Sequence, residues 1–220
     1  MIASLLPPAV AFAEEFGDPP GGFLFAEEAE LVARSVPLRR REFTTVRVCA
    51  RRALAELGVG PSPLLPGARG APRWPEGVVG SMTHCVGYRG TVVALDRHIT
   101  AIGIDAEPAE PLADGLLEAI ALPVEQAHVR RLSRARPQIA WDRLLFSAKE
   151  SVYKTTFPAT GVRLDFSDAA ITIDPFDGTF RARLLVPGLV VGGRWYDSLD
   201  GRWSATGGLL LTAITIADDG

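Results

Sequence analysis

The same order of elements occurs twice in this chain. In each half a long amphipathic segment precedes a pair of strands joined through glycine. The first segment covers residues 39–57, with Phe43, Val46, Ala50, Ala53, Leu54 and Leu57 on one apolar stripe. Gly58, Gly60, Pro61 and Pro63 end it. Its strand pair, residues 78–84 and 91–95, is joined through Gly87 and Gly90. The second segment covers residues 137–156, with Trp141, Leu144, Leu145, Ala148 and Val152 on its stripe. Strand-like runs follow at 169–173, 179–186, 201–206 and 209–216, the last two joined through Gly207 and Gly208. This pattern predicts an α+β fold of two similar halves with a cleft between them. The expected halves are residues 1–100 and 101–220.

Composition removes whole classes of function. The 220 residues are 47% hydrophobic and 22% charged, which supports a packed core and excludes a disordered chain. A net charge of −3 argues against nucleic acid as a partner. Cys49 and Cys85 are too few for a disulfide framework or a structural zinc site, so a reducing, cytoplasmic setting is expected. No apolar run reaches the ~20 residues of a membrane helix. Residues 2–13 are mostly apolar and end in Ala11-Phe12-Ala13, which mimics a leader-cleavage site. No basic residue precedes them and Pro7-Pro8 interrupts them, so a secretory leader is not expected.

The cations are unevenly divided. Of the 23 basic residues 21 are Arg, and the two lysines, Lys149 and Lys154, lie five apart. An ammonium is a compact point charge that Arg's planar fork does not mimic. Glu150 stands beside Lys149. Arg143, Ser147, Glu150 and Lys154 share the helical face opposite the apolar stripe. Read as structure, Glu150 and Lys154 are an ordinary i, i+4 surface pair.

Asp105 and Glu107 end the short apolar run that begins at Ala101. Residues two apart on a strand point the same way, so they offer two hard oxygen ligands from one edge. Together with Glu150 they form a candidate Mg2+ site. Lys149 and Lys154 would neutralise phosphate oxygens beside it. The run Gly80-Ser81-Met82-Thr83-His84 brings a glycine, two hydroxyls and an imidazole together and suits a phosphate. Arg40, Arg47 and Arg51 recur on one edge of the first segment as an anion-binding row, or as a plain solvated edge. The loop 67–75, with Arg69, wraps a nucleotide on one reading and is a plain surface loop on the other.

These motifs resemble a known family. Ile102-Gly103-Ile104-Asp105-Ala106-Glu107 is followed about forty residues later by Trp141 and then Phe146-Ser147-Ala148-Lys149-Glu150-Ser151-Val152-Tyr153-Lys154. The pair resembles the signature of 4′-phosphopantetheinyl transferases. These enzymes move phosphopantetheine from coenzyme A onto a serine of a carrier protein. Gly80-Ser81-Met82-Thr83-His84-Cys85 and the segment from Glu42 to Arg51 resemble the monomeric, two-half class, of the enterobactin-synthase-component type and most closely its actinobacterial members. The resemblance spans residues 39–216.

The resemblance implies two halves related by a pseudo-two-fold axis, a likeness to monomers, and roles for individual residues. Asp105, Glu107 and Glu150 would hold Mg2+, or Mn2+ in its place, with the pyrophosphate of coenzyme A. Glu150 would deprotonate the carrier serine and Lys154 would stabilise the leaving 3′,5′-ADP. Lys149 would contact a phosphate. His84, Arg47 and Arg51 would hold the 3′-phosphate. Ser81, Met82 and Thr83 would line the adenosine site, with Arg69 covering it. The partners would be acyl and peptidyl carrier domains, and the basic run Arg130, Arg131, Arg134 and Arg136 is a docking candidate or a solvated loop. Val48 departs from the histidine expected there. Two other readings use the same charges: another Mg2+-dependent nucleotide enzyme, weakened by the lack of a Gly-x-x-x-x-Gly-Lys loop, and a non-catalytic module that binds coenzyme A.

Overall fold

The computed structural model describes residues 1–218, in two antiparallel sheets that each carry one long helix. The first sheet has the order β1-β3-β2, from β1 (Ala11–Glu15), β2 (Val78–Cys85) and β3 (Tyr88–Leu95). After a short α1 (Ala26–Leu31), α2 (Pro37–Glu56) packs on it through Cys49, Ala50, Ala53 and Leu54. The second sheet has the order β4-β10-β9-β6-β5. Its strands are β4 (Ile99–Pro108), β5 (Ala169–Ile173), β6 (Thr179–Leu184), β9 (Ser198–Thr206) and β10 (Leu209–Ala217). Between β4 and β5 run α3 (Leu116–Ile120), α4 (Pro123–Ala135) and α5 (Trp141–Thr160). A separate hairpin joins β7 (Leu189–Val191) to β8 (Arg194–Tyr196). The fold is α+β, and the halves are unequal, with three strands against five.

Local chemistry accounts for the helix ends. Pro37 opens α2, where no intrahelical N–H is needed. Gly58 closes it with φ +75°: its N–H donates to the Ala55 carbonyl and that of Val59 to the Leu54 carbonyl, both at 3.0 Å. α5 starts at Trp141 rather than 137, and ends past the expected 156, at Thr160. It passes through Pro158, losing one ladder bond, before Gly161 stops it at φ +70°. The basic run, read from sequence as a docking candidate or a solvated loop, forms the end of α4, with Arg136 as its C-cap. Pro123 begins that helix, and Glu125 Oε2 accepts the Leu122 N–H at 2.7 Å. Residues 11–13, which mimic a leader end, form β1 and pair with β3.

Packing then brings the halves together. Val93 faces α2, while Val92 and Ala94 face the other way into a cluster with Ile102, Ile104, Leu209 and Leu211. Ile2 and Leu5 fill the same cluster, so these two side chains pack between the sheets while Ala3 and Ser4 stay exposed. β2 and β4 lie side by side as edges of separate ladders. Two hydroxyls bridge them: Ser81 Oγ accepts the Ile104 N–H at 3.1 Å, and Thr83 Oγ1 accepts the Ala106 N–H at 3.0 Å. The expected boundary at residue 100 falls inside β4. Gly103 lets α5 touch β4, because a Cβ there would sit 2.3 Å from Thr155 Oγ1 and 2.4 Å from the Ser151 carbonyl oxygen. That contact sets Glu150 and Lys154 over Asp105.

Candidate active site

Asp105 points from β4 toward α5 and is 4% exposed. Its Oδ1 accepts from Lys154 Nζ at 2.7 Å and from the Thr83 hydroxyl at 3.3 Å. Its Oδ2 is buried and has no hydrogen-bond partner among the described residues. Glu150, one turn before Lys154, makes no hydrogen bond or salt bridge among the described residues. Burial, then the charge of Asp105 and of Glu107, push the Glu150 carboxyl above its ordinary value, against the pull of Lys154. Glu107 is likewise pushed up by burial and Asp105, although Arg143 Nη1 donates to its Oε2 at 2.9 Å. The three carboxylates therefore repel one another in one place.

A cation would relieve that repulsion. Among the described residues, no three acidic, histidine or cysteine side chains form a ready-made metal cage. The orphaned Oδ2 and the acidic surroundings instead suit a hard ion that brings its own oxygen ligands. Mg2+ is of this kind, commonly taking one or two carboxylates together with substrate phosphates.

The opposite charge lies across β2. His84 is the last residue but one of that strand, facing Arg39, Glu42, Phe43 and Arg47 of α2 around a pocket of about 130 Å³. Arg39 Nη1 is 2.5 Å from His84 Nε2. Burial, then Arg39, hold the imidazole pKa below its ordinary value, which favours the neutral ring. Burial lowers the Arg47 guanidinium to about 10, with Arg39 and Arg51 adding repulsion. Arg47 stacks 3.6 Å over the Phe43 ring, and its buried Nε has no hydrogen-bond partner among the described residues. Crowded cations with an unpaired donor suit an anion.

A larger cavity of about 660 Å³ opens on the other side of Glu150. Tyr153, Leu164, Phe166 and Val152 give it apolar walls, and Arg69 stands at its rim. Arg69 is in the left-handed region at φ +51°, and the next residue, Gly70, lines the cationic pocket. The loop thus links both cavities.

Both halves of the chain match family models. Residues 27–94 match the 4′-phosphopantetheinyl transferase N-terminal domain, and residues 101–191 match the 4′-phosphopantetheinyl transferase superfamily. The chain belongs to the 4′-phosphopantetheinyl transferases. It is 56% identical over 220 residues to the 4′-phosphopantetheinyl transferase Svp of Streptomyces mobaraensis, covering 99% of this chain and 89% of that protein. It is 49% identical to PptT of Mycobacterium tuberculosis, over 98% of each chain. A partial match, 34% over 53% of this chain and 47% of the other, is to enterobactin synthase component D of Salmonella typhimurium. The chain is thus a transferase enzyme.

Within this transferase the expected site residues separate into two groups. Asp105, Glu107, Glu150 and Lys154 converge, and His84, Arg47 and Met82 line the cationic pocket. Lys149 does not join the phosphate-facing charges. It is 4% exposed and paired with Glu125 at 2.9 Å, donating also to the Phe166 and Ala169 carbonyls at 2.6 and 2.8 Å. Arg51 is turned away too, with Nη1 donating to both oxygens of the buried Glu28 at 3.2 and 3.0 Å. Ser81 and Thr83 are buried in the seam rather than open to a ligand. Ser147 is also buried, bonded to Thr212 at 3.0 Å.

Sequence reading missed Arg39 and Glu42. It followed the row through Arg40, but Arg40 donates to the Ala33 carbonyl at 2.8 Å. The signal was present one residue earlier, where 39, 42, 43, 46 and 47 share a helical face. Arg89 was missed as well. Only 2% exposed, it holds Asp18 at 2.8 Å and Glu42 at 3.4 Å, fixing the acid beside His84. No local pattern marks it.

Proposed function

We propose that this enzyme transfers 4′-phosphopantetheine from coenzyme A to a serine of an acyl or peptidyl carrier protein, with Mg2+ or Mn2+, leaving 3′,5′-ADP. The observation that carries this reading is the placement of Asp105, Glu150 and Lys154 between a cationic pocket and a half-apolar cavity. Coenzyme A has the same order of parts: a phosphorylated nucleoside, a pyrophosphate and an uncharged arm.

His84, Arg39 and Arg47 would hold the 3′-phosphate, and the arm would lie in the cavity beyond Glu150. Asp105 would hold the ion through Oδ2, with Glu107 and Glu150 near it. Bound there, the ion would polarise the phosphoryl oxygens and offset the charge of the leaving group. Glu150 is free and its raised pKa strengthens it as a base, so it would take the proton from the carrier serine. The serine oxygen forms a bond to the β-phosphorus as the bond to the 3′,5′-ADP oxygen breaks. Lys154 would place its ammonium against the pyrophosphate. All of these residues belong to one chain, which supports action as a monomer. Among the described residues, no helix is long and apolar enough to cross a membrane.

Intact-mass spectrometry of an apo carrier incubated with this protein, coenzyme A and Mg2+ tests the reading. A gain of one phosphopantetheine group, abolished by EDTA, is expected. No gain on either acyl or peptidyl carriers would overturn it.

A further inference from the structure

Thr83 carries three polar contacts on one hydroxyl. Its Oγ1 accepts the Ala106 N–H at 3.0 Å, lies 3.3 Å from Asp105 Oδ1 and lies 3.5 Å from Lys154 Nζ. A hydroxyl has one proton and two acceptor lone pairs. The Ala106 amide and the Lys154 ammonium can only donate. The single Thr83 proton must therefore go to Asp105 Oδ1. That assignment uses every donor and acceptor of the side chain, which is 3% exposed.

Asp105 Oδ1 then receives two donors, from Thr83 and Lys154. A carboxylate held twice at one oxygen cannot rotate freely about its χ2 bond. Oδ2 is left buried and unpaired, which is costly unless something binds it. We infer that Thr83 is a positioning residue: its hydroxyl locks the Asp105 carboxylate so that Oδ2 faces the ion. The same hydroxyl ties β2, which carries His84, to β4, which carries Asp105. This side chain thus helps to hold the phosphate-binding half in register with the metal-binding half. Ser81 bridges the same two strands, but among the described residues its hydroxyl is hydrogen-bonded to the Ile104 amide alone. It is a natural control for the seam without the carboxylate.

This inference rests on the proposed ion at Asp105. The experiment measures Mn2+ affinity by electron paramagnetic resonance, in the presence of coenzyme A, alongside thermal melting. Thr83→Val keeps the shape and removes the proton. Loss of such an outer partner typically weakens metal affinity about 10–100-fold, and about tenfold is expected here. Thr83→Ser should restore affinity to within about twofold of wild type. Ser81→Ala should lower the melting temperature and leave Mn2+ affinity unchanged. Asp105→Asn separates the two claims. If it abolishes Mn2+ binding while Thr83→Val binds as wild type, the role of Thr83 is overturned. If Asp105→Asn also binds as wild type, the ion site fails and the inference with it. Should Thr83→Val not melt cooperatively, Thr83→Cys, of similar size and a weak donor, takes its place: intermediate affinity supports the inference and wild-type affinity overturns it.

Discussion

The two sides of the β2–β4 seam carry opposite surplus charge. On one side Arg39, Arg47 and His84 crowd together, and burial holds two of them below their ordinary pKa values. On the other, Asp105, Glu107 and Glu150 crowd together, and burial and mutual repulsion push two of them up. Each side is poorly satisfied alone, and a metal–pyrophosphate nucleotide would complement both. They differ in the part of the nucleotide each would meet: the cations the 3′-phosphate, the acids the ion and the pyrophosphate at which bonds change. Binding energy should therefore come mainly from the first side, and rate from the second.

Mutants that separate binding from rate test this division. Glu150→Gln should lower kcat about 10²–10⁴-fold, the usual worth of a positioned general base, with coenzyme A affinity near wild type. Full turnover by a folded Glu150→Gln protein would remove Glu150 from that role. Lys149 provides the next contrast, because it neighbours Glu150 in sequence yet faces Glu125. Lys149→Met strands a buried carboxylate and should cost about 3–5 kcal/mol of stability by denaturant titration. A stable variant with weakened coenzyme A binding would instead place Lys149 on the ligand. Arg47→Ala should weaken coenzyme A roughly tenfold or more by calorimetry, the range for a hydrogen bond to a charged group. Its kcat at saturation should change little; an equal loss in kcat would blur the division.

Two smaller effects concern protons. Glu150 has a folded pKa above 4.5, so its ionisation destabilises the folded state as pH rises from 4.5 through the raised value. Metal-free Glu150→Gln should therefore melt higher than wild type at neutral pH. The gain should vanish below 4.5, where the wild-type carboxyl is neutral in both states. His84 has a folded pKa below 6.5 and is neutral in the free enzyme near pH 7. A phosphate beside it favours imidazolium, so coenzyme A binding should take up a proton and tighten as pH falls toward 6.5. Calorimetry in buffers of different ionisation enthalpy reads this directly, and His84→Gln should abolish the uptake.

Much of this was legible from short stretches. The 3.6-residue stripe of α2, its Gly58 stop and the alternating β2–β3 pair are local patterns with local causes. So was the Asp-x-Glu strand end with the Lys-Glu helix. β1 was not legible, because Ala11–Glu15 becomes a strand only by pairing with β3, nearly eighty residues on. α4 was obscured because its basic surface face resembles a solvated loop, although Pro123 and Glu125 mark its start.

The two lysines show where sequence stops. Sequence by itself determined that ammonium groups flank Glu150 on one helix, that an acid pair ends a strand, and that an imidazole ends another. It could not determine which lysine meets which acid. The helix direction sends Lys149 toward α4 and Lys154 toward β4, and only the packing of α5 across Gly103 selects Asp105 for Lys154. The same holds for Thr83, whose hydroxyl gained three partners only when two sheet edges met. Periodicity is a property of a few consecutive residues. Charge pairing depends on distances between residues far apart in the chain, and only the tertiary structure supplies those.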